Sequence, residues 1–180
     1  MVDSTPRGAA RTATLVALPL ALVTGVAVYW LLGGFRSEPA AQPARPQATT
    51  AVELAATPLG DRPAAVCRAL FAKLPPTLGD LPRRPVTAGP EQNAAYGDPP
   101  VVLACGAARP AVPDDAQLFV VNRVCWWPVE EPGRAVWHLV DREVAVTLTV
   151  PKDYAADRFL VDLAAPIEGS IAAQRTSCTA

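Results

Sequence analysis

Residues 12–35 (TATLVALPLALVTGVAVYWLLGGF) contain no Asp, Glu, Lys, Arg or His, and this run constrains the chain more than any other feature. A helix needs ~20 apolar residues to cross a ~30 Å hydrocarbon core; the run is longer than that and predicts one transmembrane helix. Pro19 falls early in it, where lipid-embedded helices tolerate a kink, and Tyr29 and Trp30 fall near its end, where amphipathic rings favour the headgroup region. Arg7 and Arg11 precede the run, whereas Arg36 after it is offset by Glu38. The positive-inside bias therefore predicts a cytoplasmic N-terminus (residues 1–11) and an extracytoplasmic remainder at the cell membrane. A cleaved signal peptide competes, with Pro39, Ala40 and Ala41 as a small-residue cleavage stretch, but its apolar region would span only about 7–15 residues. An uncleaved signal anchor is the expectation.

All four cysteines, Cys67, Cys105, Cys125 and Cys178, lie beyond the run, and an even number in an oxidising compartment predicts disulfides. A zinc site would need closely spaced thiolates or imidazoles, yet there is no CxxC pair and His138 is the only histidine. No metal and no cofactor are expected. Spacing alone leaves three pairings open. Placing Cys105 and Cys125 at opposite ends of one antiparallel strand pair favours Cys67 with Cys105 and Cys125 with Cys178. Each bridge would stabilise the domain by about 2–4 kcal/mol.

At 180 residues the chain has room for one ordinary core beside an anchor, and with only 6% aromatic residues that core must be packed largely from Val, Leu and Ala. The net charge is −1 and like charges form no block, which excludes a nucleic-acid-binding surface. Neither GxxxxGK[ST] nor GxGxxG occurs, so no nucleotide is expected.

Residues 36–58 are rich in Pro, Ala and Thr and read as a partly extended stalk, leaving residues 59–180 as the folded domain. Asp61 is a candidate N-cap with Pro63 in the first turn; Val66, Cys67, Leu70, Phe71 and Leu74 then recur at helical spacing until Pro75 and Pro76. Residues 78–100 read as loop with a short strand at 84–87. Strand runs follow at 100–105, 117–127, 135–141 and 143–150. In the last, Val144, Val146, Leu148 and Val150 alternate with small or polar residues, defining one apolar face. Residues 154–174 return to helical spacing, with Pro166 and Gly169 expected to break or kink the helix. The order predicts an α+β fold: an antiparallel sheet flanked by an N-terminal and a C-terminal helix on one face.

The segments CRAL-x3-LP (67–75), LPRRPVTAGPEQNAAYGDPPVVLACG (81–106), VCW (124–126) and W-x3-DREVAVTLTVP (137–151) together resemble one family. It is the actinobacterial membrane-anchored family catalogued as domain of unknown function 3515, and the resemblance covers residues 60–151. It implies an anchored cell-envelope protein. It implies no activity and no catalytic residue.

Enzyme chemistry finds little material here. Nucleophilic hydrolysis needs a nucleophile with a base in reach; the folded region offers Ser170 and Ser177, neither in GxSxG, and His138 beside Trp137 and near Asp141. Asp114 with Asp115, and Glu130 with Glu131, are adjacent carboxylates beside prolines and read as solvated turns. The polar segment that holds Arg83, Arg84, Glu91, Gln92, Asn93, Tyr96 and Asp98 reads instead as an interaction surface; its internal alternative is that Tyr96 packs on the sheet and an arginine pairs with Asp98 or Glu91. Trp126 and Trp127 are consecutive strand residues and must face opposite ways, so one of them is a candidate contact. Asp141 and Arg142 are expected to form a turn and a salt bridge. The expectation is a non-enzymatic module that binds a cell-envelope protein or glycan, with a cell-wall hydrolase or transferase using His138, and a small-ligand sensor, as alternatives.

Overall fold

The computed structural model describes residues 23–28, 48–174 and 178. Residues 23–28 are helical; the rest of the predicted span, and residues 36–47 of the predicted stalk, lie outside the described residues. Among the described residues no helix is long and apolar enough to cross a membrane.

Helix α1 (Asp61–Phe71) opens the domain and α2 (Asp157–Glu168) closes it around a sheet of eight antiparallel strands. The strands are β1 (Thr77–Leu78), β2 (Leu81–Arg84), β3 (Asn93–Tyr96), β4 (Val101–Cys105), β5 (Phe119–Val121), β6 (Val124–Glu131), β7 (Arg134–Leu139) and β8 (Val146–Pro151), in spatial order β1-β2-β3-β4-β8-β7-β6-β5. The α+β expectation holds, with both helices contributing to one core on one sheet face.

Register explains which side chains enter that core. Val101, Leu103 and Cys105 alternate inward on β4, and Val146, Leu148 and Val150 do so on β8, where Val144 joins them as the sequence pattern requires. From the helices, Cys67, Leu70 and Phe71 of α1 and Phe159, Leu160, Leu163 and Ile167 of α2 join the same core. The Lys73 ammonium beyond α1 donates to the Gly169 carbonyl at the end of α2, tying the two helix ends together.

Several local expectations are corrected. Gly60, not Asp61, is the N-cap of α1, so Asp61 opens the first turn and sits favourably against the helix dipole. The strand expected at 84–87 lies at Leu81–Arg84, and β3 was not expected at all, because Asn93, Ala94 and Ala95 carry little strand propensity. The single run expected at 117–127 is a hairpin, β5 and β6, whose turn residues Asn122 and Arg123 have φ of 46° and 63°. Two positive φ values make the type I′ turn that matches strand twist, and Arg123 takes the place that glycine usually holds. Pro166 lies within the last turn of α2 and Gly169 caps it, so the helix ends there and does not run to 174.

Both disulfides pair as expected: Cys67 with Cys105, pinning α1 to β4, and Cys125 with Cys178, pinning the C-terminal segment to β6. Cys105 and Cys125 do not stand at opposite ends of one strand pair, however, since β4 and β6 are separated by β8 and β7.

The largest correction concerns residues 50–58, expected to belong to the stalk. They are not stalk but a strap laid over the sheet face opposite the helices. Val52 donates to the Pro85 carbonyl at 2.9 Å and accepts from the Thr87 N–H at 3.0 Å, a parallel bridge to the chain leaving β2. Asn93 then donates to the Ala55 carbonyl at 3.0 Å, and Gln92 exchanges two bonds with Thr57. At the end of β4, Gly106 has φ of 86° and Leu59 passes so close that an added Cβ would stand 2.5 Å from it. The positive φ favours glycine there, and any added side chain would also have to displace that of Leu59.

Candidate open face of the sheet

The strap covers β3 and stops. Strand parity and register identify what it leaves uncovered: Val102 and Ala104 of β4, Thr147 and Thr149 of β8, Val136 and His138 of β7, and Trp127 and Val129 of β6. All are half-buried except Val136, which is buried, and all point away from the helices. None carries a fixed charge.

Trp127 and His138 are cross-strand partners with ring centroids 5.5 Å apart and planes inclined by 36°. The pair is the aromatic centre of the face. Thr147 Oγ1 approaches His138 Nδ1 at 3.5 Å, the outer limit of a hydrogen bond, and no other hydrogen bond reaches this ring among the described residues. Burial holds the imidazole below its ordinary pKa, with the Glu131 carboxylate opposing that shift, so the ring is neutral near pH 7. It offers one donor and one acceptor to whatever rests on the face.

Toward the β6–β7 turn the face deepens into an open cleft of about 500 Å³. Val102 and Thr149 form its floor, Val52, Glu53 and Leu54 of the strap form one wall, and the turn residues from Glu131 to Arg134 form the other. Arg134 Nε holds Glu131 at 2.6 Å across that turn. A second open cleft, of about 400 Å³, lies on the helix side and is lined by Trp137, Tyr154, Ala135, Val150 and the Lys152–Glu130 pair at 3.5 Å.

The two consecutive tryptophans divide as strand alternation requires: Trp126 is fully buried under the helices and Trp127 lies half-exposed on the open face. The polar segment from β2 to β3 proves different from its expectation as an interaction surface. Arg84, Gln92, Asn93 and Tyr96 are all buried. Arg84 donates to the Thr50 carbonyl at 2.8 Å and the Gly97 carbonyl at 3.0 Å and stands 3.7 Å from Asp98, while the Tyr96 hydroxyl donates to the Pro75 carbonyl at 3.0 Å. Burial pushes the Tyr96 hydroxyl above its ordinary pKa. The polarity of this segment serves the strap, because a strap without regular pairing needs side chains to satisfy its backbone. Arg83, Glu91 and Asp98 remain exposed at its margin.

Asp141 and Arg142 form the expected salt bridge at 3.0 Å, but in the interior, with side chains only 2% and 6% exposed. Arg142 also donates to the Arg123 carbonyl at 3.0 Å, and Arg109 donates to the carbonyls of Val140 and Arg142. Asp141 is therefore engaged by Arg142 and not by His138. No group of three or more metal-ligating side chains occurs among the described residues.

A two-layer α+β domain with two disulfides, helices on one sheet face and a strap across part of the other, defines the structural class. The family model described as Protein of unknown function (DUF3515) matches residues 16–176, and the chain belongs to that family. No curated protein and no solved structure matches it.

Proposed function

We propose that this is a membrane-anchored, extracytoplasmic binding module, non-enzymatic, whose working surface is the open sheet face centred on Trp127 and His138. One observation carries the reading: a half-exposed, uncharged aromatic face lies in the middle of a sheet whose opposite face already holds the core. Exposed apolar surface of this kind, rimmed by polar groups, is characteristic of interaction sites. The apolar run at 12–35 supports the anchor, and the two disulfides support an oxidising compartment outside the cytoplasm, where a cell-envelope protein or glycan is the partner. The Arg83-to-Asp98 segment serves this surface by fastening the strap that bounds it.

The test replaces Trp127 in the full chain, in its native membrane, by a photoreactive residue, with exposed Val161 of α2 replaced likewise for comparison. Adducts of one defined mass from position 127 and not from 161 are expected. Equal patterns from both positions, or none from either, would overturn the proposal.

A further inference from the structure

The strap has one paired edge and one open edge. In an extended chain, successive residues direct their N–H and C=O groups to opposite sides. Val52 uses both of its groups toward residues 85–87, on the side away from β8. Its neighbours Ala51 and Glu53 therefore direct theirs the other way, over the open face. Among the described residues, no hydrogen bond reaches the backbone N–H or C=O of either residue. Residues 85–87 and the strap thus meet in one isolated parallel bridge beside β3, leaving the floor at Val102 and Thr149 next to the unpaired edge of the strap.

From this geometry we infer that the ligand of the open face is an extended polypeptide segment, which pairs through its backbone with the unpaired edge of the strap. Backbone pairing to Ala51 and Glu53 would supply affinity, and alternate side chains would descend onto Val102 and Thr149 or rise to solvent. Glu53 and Glu131 stand on the rim against a single Arg134, so the segment carries a basic residue beside its apolar ones. A carbohydrate would use Trp127 but has no need of an open backbone edge. The inference rests on the proposed use of this face and adds the class of ligand and its mode of docking.

The experiment selects random linear decapeptides displayed on phage against the full chain in lipid nanodiscs, then measures the best synthetic peptide. Recovered sequences alternating apolar residues with Lys or Arg are expected, and bound peptide should slow hydrogen exchange at the Ala51 and Glu53 amides. Glu53→Pro and Glu53→Ala both lose the carboxylate, but only the first loses the N–H; the proline variant should bind about tenfold more weakly than the alanine variant. Thermal unfolding of both variants checks that the strap remains in place. Failure to select any peptide, peptides that leave the two amides unprotected, or equal binding by the two variants would overturn the inference. If position 127 still gives its specific adduct in that event, the binding face stands and only the strand-pairing mode falls. If the adduct is also absent, both fall.

Discussion

The two faces of this sheet are made from the same strands and meet opposite fates. On β8, Val146, Leu148 and Val150 are buried by the helices, while Thr147 and Thr149, one residue away in each case, stay half-exposed on the other side. On β6 the same step separates Trp126, wholly buried, from Trp127. A domain of this size has two helices to spare for one face; the other receives the strap beside β3 and, at Cys125 of β6, the disulfide to Cys178. One face therefore carries the packing energy, and the other is left partly open to solvent.

That contrast can be broken at its supports. Arg142→Met should have the largest effect, about 3–5 kcal/mol, because it strands the buried Asp141 carboxylate; urea unfolding at neutral pH measures it. Paired replacement of Cys67 and Cys105 by Ser should cost about 2–4 kcal/mol by freeing α1 from β4, read as a lower unfolding midpoint that reductant no longer shifts through this bridge. Arg84→Ala should cost about 1–3 kcal/mol and act on the strap, leaving the Thr50 and Gly97 carbonyls without their donor. Hydrogen exchange at Val52 and Thr87 should rise in that variant while exchange on β8 stays slow.

The smallest effect belongs to the open face itself. His138 has its folded-state pKa lowered by burial, so between that value and the unfolded value of about 6.5 the unfolded chain binds more protons. Its contribution to stability is present above pH 6.5 and is lost as pH falls through the lowered folded-state value. Wild type should thus lose slightly more stability than His138→Gln between pH 7.5 and 5.5, measured as the difference in their thermal shifts. An identical slope in both proteins would mean that the imidazole is not desolvated on this face.

The covered face was legible in the sequence because burial writes a period: two for Val144 to Val150, and near 3.6 for Val66 to Leu74. The disulfide pairing was also reached, though from a strand neighbourhood that does not exist. What stayed hidden lacks a period or contradicts its propensity. Asn93, Ala94 and Ala95 make a strand because β4 and the strap require one, and Asn122 with Arg123 makes a hairpin turn without glycine, its Arg123 held by Glu168 at 2.9 Å. The strap shows only Val52 and Leu54 around Glu53, too little alternation to separate from a stalk. The candidate site shared that difficulty: Arg84, Gln92, Asn93 and Tyr96 are polar residues whose partners lie within the fold, and composition does not reveal whether a polar group faces inward or outward. Trp127 was legible as one of two, since alternation guarantees that adjacent strand residues diverge.

The most direct measurement compares Trp126→Ala with Trp127→Ala by urea unfolding of the otherwise unchanged domain. Trp126→Ala should lose about 3–5 kcal/mol and Trp127→Ala about 1 kcal/mol or less, as befits one face that holds the fold and one that is free to bind. Equal losses at the two positions would contradict the account, because the open face would then be a second core.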